Sequence, residues 1–378
     1  MPGPNLFFLR LAIGAPEISP FLLIVAILTT ALTLWSYLKP PLTILFILLI
    51  TVVLTTLPLL QQPQAVANAQ VSLTQAFKLS SQDALTSSSA SPTWSWSAFF
   101  RGMPQGKIRL QGNILFAAPA GVPLSLDLYQ PLEPGNFPAV ITIYGGGWSA
   151  GSPSENAIFS RYLASKGYVV IGIDYRHAPQ FSFPTQLEDI QTALAFICDR
   201  TQVYEVDPTR ISLVGWSAGA HLAMLAGFQP QPNLPNQKVS ALNIRSIINY
   251  YGPVNLHQGY AEPPIPDPLD VRQVLRDFMG GPPNDFSEAY TQASPITYVK
   301  TAQPKTLPPT LLIYGGRDHV VEARFGEKLY DAIIASGNRA VWVTIPWAEH
   351  AFDKIFNGVS NQLALHFVER FLDKTLRL

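Results

Sequence analysis

The sequence predicts an α/β protein: a mostly parallel eight-stranded sheet with helices on both faces, preceded by an N-terminal transmembrane helical hairpin. Two observations predict it. From Ile108 onward, short apolar runs rich in Val, Ile and Leu alternate with helix-like stretches, the pattern of parallel strands buried on both faces. Before that, the first sixty residues hold two long runs without a charged side chain. The chain has 378 residues, of which 48% are hydrophobic and 13% charged, enough for one large α/β domain and a segment ahead of it.

Residues 1–62 are the expected membrane segment. Ile18 to Leu38 and Leu42 to Leu60 carry no charge, and each is near the ~20 residues that cross ~30 Å of hydrocarbon. Lys39-Pro40-Pro41 is a tight connector, and Trp35 and Tyr37 suit an interfacial belt. One alternative is a signal peptide with Leu42 to Leu60 as its apolar core and Ala67-Asn68-Ala69 as a cleavage site. The other is a buried helical pair in a soluble protein. In a hairpin, Arg10 and Lys78 would share one side against Lys39, a margin too thin to assign the catalytic domain to either side of the membrane.

Residues 63–107 read as a linker with an aromatic segment. They are rich in Gln, Ser, Ala and Thr, and the stretch from Thr86 to Pro92 is a solvated spacer by composition. Trp94, Trp96, Phe99 and Phe100 follow closely. Packing on the core or the sheet edge is the first expectation for them; a lid over the site and a place in the membrane interface are the alternatives.

Residues 108–378 form the expected catalytic domain. Ile108 to Ala117 and Leu124 to Tyr129 read as an initial antiparallel pair. Ala139 to Tyr144, Tyr168 to Asp174, Ile211 to Gly215, Ser246 to Tyr251, Leu311 to Tyr314 and Ala340 to Ile345 follow as strands separated by helices. Equal numbers of acidic and basic residues, 25 each, without a basic cluster, argue against a nucleic-acid partner. A single cysteine, Cys198, allows no intrachain disulfide, and its apolar surroundings disfavour a reactive thiolate.

The chemistry is carried by Gly215-Trp216-Ser217-Ala218-Gly219, with a strand-like run before it and a helix-like run after it. That context is a nucleophile elbow, which lifts a serine hydroxyl clear of the sheet. An acid and then a histidine should follow in the chain. Asp318 lies just past the strand candidate at Leu311 to Tyr314, and His350 on the loop after Ala340 to Ile345, where open α/β sheets place their chemistry. His350 is then the base and Asp318 the group that orients it. Glu322 and Glu349 compete weakly with Asp318, which could instead be a turn residue beside Gly316. His319 breaks the expected order; His221 and His366 are read as packing residues.

A third element is Tyr144-Gly145-Gly146-Gly147-Trp148, a glycine run after a strand. Such a loop exposes N–H donors to a developing oxyanion, so Gly146 and Gly147, with Ala218 from the elbow, are the expected oxyanion hole. The plain alternative is a flexible turn; a phosphate loop fits worse, because the Gly-Lys-Ser/Thr ending is absent.

Together these residues resemble the α/β-hydrolase superfamily. Within it they are similar to the carboxylesterase group that includes hormone-sensitive-lipase-like esterases, kynurenine-formamidase-like enzymes and the bifunctional acetylxylan/feruloyl esterases. Asp174-Tyr175-Arg176-His177-Ala178-Pro179, Phe183-Pro184 with Asp189, Gly215 to His221, and the stretch from Gly280 to Ile296 match that group in order. The resemblance spans roughly residues 110 to 375. Tyr144 departs from it, since the group has histidine there, a residue that shapes the glycine loop by hydrogen bonding.

The expected reaction is serine-dependent hydrolysis of a carboxylic ester through an acyl-enzyme, with no metal or organic cofactor. The expected partners are a small-molecule ester and, through the hairpin, the lipid bilayer. Tyr144, Trp148 and Trp216 are candidates for the substrate pocket, and Trp347 for its wall. An acyltransferase using the same three residues, or a catalytically idle membrane-tethered binding protein, are the alternatives. No long hydrophobic lid insertion is evident between Gly252 and Thr310, which predicts short acyl groups.

Overall fold

The computed structural model describes residues 5–35, 41–79, 92–229 and 242–377. The sheet has eight strands: β1 (Ile108–Ala117), β2 (Leu124–Pro131), β3 (Phe137–Ile143), β4 (Val169–Ile173), β5 (Val206–Trp216), β6 (Ile244–Tyr250), β7 (Thr310–Gly315) and β8 (Ala340–Ile345). Their order is β1-β2-β4-β3-β5-β6-β7-β8. Only β1/β2 and β2/β4 pair antiparallel; the rest are parallel. Every residue of β4 and β7 is buried, which is why these segments read as continuous apolar runs rather than alternating ones.

The helices are α1 (Leu6–Glu17), α2 (Ser19–Trp35), α3 (Leu42–Phe77), α4 (Trp96–Arg101), α5 (Ala157–Ser165), α6 (Thr185–Cys198), α7 (Ala218–Phe228), α8 (Leu256–Ala261), α9 (Val271–Met279), α10 (Ser287–Gln292), α11 (Pro295–Thr301), α12 (Ala323–Ala335) and α13 (Val359–Leu376). Helices α5 and α13 meet through a hydrogen bond from Tyr162 to Glu369; α7 packs on β3, β5 and β6, flanked by α6 and α11. Helix α13 is buried along almost its whole length, because α3 covers the side that would otherwise face solvent.

The N-terminal segment differs from the expectation in three ways. Helix α1 was not anticipated; it is bent by 79° from α2 at Ile18. Among the described residues, α3 is the one helix long and apolar enough to cross a membrane, and α1 with α2 reaches that length only as a bent pair. Finally, α3 continues without a break through Phe77, so the first part of the expected linker is helical. Ala65, Ala69, Ser72 and Leu73 are buried on one side of it. These small side chains allow close approach to β8, and Ser72 Oγ accepts a hydrogen bond from the Trp342 N–H at 2.8 Å. An edge strand's open N–H is thereby satisfied and its edge covered. Tyr37, Lys39, Pro40 and the spacer from Thr86 to Ser91 lie outside the described residues.

The aromatic segment packs rather than covers the site. Gln62 donates to the Thr93 carbonyl at 3.0 Å and the Ser95 N–H to Gln362 at 2.7 Å, tying α4 to α3 and α13. The region between Gly252 and Thr310 contains four short helices, α8 to α11, and α8 and α9 form one wall of the main cavity. Between Gly252 and Thr310 there is no long apolar helix, and the wall is built from short helices instead.

Candidate active site

Chain reversals at the carboxyl ends of β3, β5, β7 and β8 converge on one rim of the sheet, as parallel topology requires. Ser217 follows β5 directly, with φ +51° and ψ −119°, a backbone conformation that costs on the order of 1–3 kcal/mol and persists only when its surroundings enforce it. Here the Ser217 N–H is held by the Tyr250 carbonyl at 2.9 Å. Gly219 is required by close approach: a Cβ there would lie 2.1 Å from the Ile143 carbonyl oxygen.

His350 Nε2 lies 3.0 Å from Ser217 Oγ, and His350 Nδ1 lies 2.8 Å from Asp318 Oδ2. The other Asp318 oxygen accepts the N–H groups of Val320 and Val321 at 2.8 and 2.7 Å, which fixes the carboxylate's direction. Burial by itself lowers the His350 pKa, but the carboxylates of Asp318, Glu349 and Asp353 outweigh it, and the net shift is upward from 6.5. The Tyr251 ring, 4.4 Å away between centroids, packs against the imidazole.

Neither competing acid reaches the His350 ring. Glu349 is buried behind it, accepting the N–H groups of His319 at 2.6 Å and His350 at 2.9 Å and pairing with His319 Nδ1 at 2.6 Å. Glu322 is paired with Arg324.

Gly146, Gly147 and Ala218 line the same cavity as Ser217, and their N–H groups donate no hydrogen bond among the described residues. Gly146 has φ +108°, and a Cβ on it would sit 2.1 Å from the Ala150 carbonyl oxygen. Three backbone donors without a partner among the described residues thus line the cavity that holds the Ser217 hydroxyl, and such donors suit negative charge developing on an acyl oxygen.

The cavity has a volume of about 670 Å³. Trp148 and Trp216 line it, with Val254, Leu256, Val274, Leu275 and Phe325. Trp148 stacks on Phe278 at 4.1 Å, and its indole N–H donates to His221 Nδ1 at 3.3 Å. His221 in turn bonds the Ala293 carbonyl through Nε2 at 2.6 Å. Burial lowers its pKa to about 4, so it stays neutral and serves as a strut for the wall.

Two pocket candidates are corrected. Tyr144 does not line the cavity: it turns behind the glycine loop, stacked on Tyr175 at 4.4 Å. Its hydroxyl donates to Asp174 at 2.5 Å and lies 2.9 Å from His177 Nε2. Strand alternation carries it away from the rim, and Asp174 supplies the acceptor that a buried hydroxyl needs. Trp347 faces away from Ser217, and its indole N–H donates to Ser360 at 2.9 Å. Among the described residues, no group of three or more His, Cys, Asp or Glu is arranged to hold a metal ion.

One contact was not anticipated at all. Glu17, at the end of α1, is buried and accepts both the Ser360 N–H, at 2.8 Å, and the Ser360 hydroxyl. Helix α13 begins after Gly358, which has no side chain to cap it. Glu17 fills that role from the other end of the chain, where no local sequence signal could reveal it.

Residues 126–333 match the BD-FAE family. A protein of Mycobacterium tuberculosis named "Probable carboxylic ester hydrolase LipM" is 28% identical over 243 residues, 63% of this chain and 54% of that one. The rice (Oryza sativa) "Probable isoprenylcysteine alpha-carbonyl methylesterase ICMEL1" is 31% identical over 225 residues, 57% of this chain and 51% of the other. The chain thus spans about half the length of these curated relatives. Among solved structures, esterase Est2 of Thermogutta terrifontis superposes with a TM-score of 0.57 at 23% identity, covering 72% of this chain and 92% of that one. At that identity the likeness is one of fold, the α/β-hydrolase sheet.

Proposed function

The chain belongs to the BD-FAE family, and on that premise we propose that it is a membrane-anchored serine hydrolase of carboxylic esters. The observation that carries the reading is the pair of hydrogen bonds joining Ser217 Oγ to His350 and His350 to Asp318, 3.0 and 2.8 Å long, at an apolar cavity. Ser217 attacks the ester carbonyl while His350 Nε2 takes its proton. Asp318 holds the imidazole in the required tautomer and stabilises the cation that forms. The N–H groups of Gly146, Gly147 and Ala218 receive the oxyanion. His350 then protonates the leaving alcohol, and a water activated by the same imidazole releases the acid.

The acyl group is short and the apolar wall of α8 and α9 accommodates the alcohol portion. Helices α2 and α3 form the anchor, with α1 lying along the interface at its sharp angle to α2, its Leu6, Phe7, Phe8 and Leu11 exposed.

The test is hydrolysis of a p-nitrophenyl acyl series by the full chain in detergent. Ser217→Ala and His350→Ala should each reduce turnover at least about a thousandfold, with circular dichroism unchanged. Retained activity in either variant overturns the mechanism. Faster turnover of long-chain emulsified esters than of acetate or butyrate overturns the acyl preference, and acyl transfer outpacing hydrolysis with an added alcohol favours an acyltransferase.

A further inference from the structure

We propose that Glu349 is a positioning residue for His350, tying the loop of the base to the loop of the acid through a second acid–histidine pair crossed with the first. This role rests on the reading of Ser217, Asp318 and His350 as an ester-hydrolysing triad. The loop after β7 carries Asp318-His319, and the loop after β8 carries Glu349-His350. Each carboxylate reaches the histidine of the other loop. Asp318 Oδ2 lies 2.8 Å from His350 Nδ1, and Glu349 Oε2 lies 2.6 Å from His319 Nδ1. The first pair serves Ser217. The second stands behind it, and neither Glu349 nor His319 lines the cavity that holds Ser217.

The two loops have few other ties. Strands β7 and β8 pair only as far as Gly315 and Ile345. Beyond them the Gly316 N–H donates to the Ile345 carbonyl at 2.8 Å and the Arg317 N–H to the Ala348 carbonyl at 3.0 Å. Among the described residues, main-chain bonding between the loops ends there, short of both Asp318 and His350. Asp318 Oδ1 is taken up on its own loop by the N–H groups of Val320 and Val321. Glu349 supplies what remains: its Oε1 accepts the His319 N–H at 2.6 Å and the His350 N–H at 2.9 Å. One oxygen thus holds the residue next to the acid and the backbone of the base itself, while His319 fixes the other oxygen. Glu349 is 2% exposed, and a side chain needed only to fill that space would be apolar, since a buried polar group is unfavourable unless its bonds are made.

Glu349 also acts on the imidazole through space. The groups facing His350 are Ser217 from the end of β5, Tyr251 from the end of β6, Asp318 from the β7 loop, and Glu349 and Asp353 from its own segment. The Tyr251 hydroxyl is bonded to Asp353, whose charge Lys354 offsets. Asp318, Glu349 and Asp353 each raise the His350 pKa against the effect of burial. Removing the Glu349 charge lowers it. Loosened packing admits water, relieves burial and moves it the other way, so the direction separates the two causes.

The experiment compares the full chain in detergent with Glu349→Gln and Glu349→Ala, reading kcat, KM and the pH–rate profile for p-nitrophenyl butyrate. The Gln variant keeps an acceptor oxygen for the two N–H groups and loses the charge. Its kcat should stay within about tenfold of the parent's, and its rate limb should lie at lower pH. The Ala variant loses the tie as well. Its kcat should fall about a hundredfold, the effect of misplacing a catalytic group by about 1 Å, with KM little changed because Glu349 lies outside the cavity. Equal kcat losses in the two variants overturn the proposal, as does a Gln limb at the parent's pH or above it. If circular dichroism shows that the Ala variant does not fold, the Gln limb decides alone. A parent chain that does not hydrolyse the ester overturns the hydrolase reading and this role with it; an active parent whose Glu349→Ala variant keeps its kcat overturns this role alone.

Discussion

Removing the Glu17 carboxylate should unsettle the protein at a point far from Glu17 in sequence. Glu17→Ala deletes two hydrogen bonds to Ser360 at the first turn of α13. Loss of a helix N-cap costs about 1 kcal/mol, and loss of the second, hydroxyl bond about another 1 kcal/mol. Burial pushes the Glu17 pKa up to about 8, so the acid is largely neutral at pH 7, and the cost of burying this polar group offsets part of the gain, leaving roughly 1–2 kcal/mol. In a chain of this size that corresponds to a fall in Tm of about 1–4 °C. Ser360 also receives the Trp347 indole N–H at 2.9 Å, and Trp347 lies on the loop that ends in His350. A loosened Ser360 should therefore lower kcat by a few fold with KM little changed. Glu17→Gln retains one acceptor oxygen for the Ser360 N–H and should lose about half as much stability. Thermal unfolding of the full chain in detergent, with steady-state hydrolysis alongside, measures both effects. A Glu17→Ala chain with the parent's Tm and kcat would refute the capping argument, and equal losses in the Ala and Gln variants would refute its hydrogen-bond basis.

Other outcomes follow from the site. Because the His350 pKa lies above 6.5 and only the neutral imidazole accepts the serine proton, kcat/KM should rise with pH through an apparent pKa above 6.5. The sign for stability is opposite: the protonated, paired form is favoured on folding, so that contribution is full below pH 6.5 and fades as pH rises through the folded pKa. Asp318→Asn should move the rate limb to lower pH, leaving burial to dominate, and reduce kcat by about 10⁴; a pH–rate profile of the variant reads both. Gly146→Ala forces a Cβ to within 2.1 Å of the Ala150 carbonyl oxygen at φ +108° and should abolish measurable hydrolysis while the far-ultraviolet circular dichroism stays intact. Tyr144→Phe leaves Asp174 and His177 short of a partner and should cost about 1–3 kcal/mol of stability, with KM for the ester unchanged because Tyr144 lies outside the cavity.

The strands were legible because their signal is local. Ala139 to Tyr144 and Leu311 to Tyr314 are apolar runs ended by glycine, and β3 and β7 form there. Ser217, Asp318 and His350 were legible as a group because each follows such a run, and parallel topology carries run-ends to a common rim. The linker was misread at residues 63–77. Gln, Ala and Ser look like spacer by composition, but Ala65, Ala69 and Ser72 recur at helical spacing and dock on β8. That α8 and α9 wall the cavity was not legible, because each is too short to show a long apolar face.

By itself, then, the amino-acid sequence determined the sheet, the order of its strands along the chain, and the three side chains that meet at its rim. The tertiary structure alone decided which way Tyr144 and Trp347 face, that α3 closes the edge of β8, and that Glu17 caps α13. The physical reason is range. A strand or a tight glycine turn is specified by neighbours a few residues away, whereas the side of a loop that faces a cavity is chosen by whichever buried polar partner it finds. Asp174 meets Tyr144, Ser360 meets Trp347, and Glu17 meets Ser360, and no periodicity in the chain records any of these pairings.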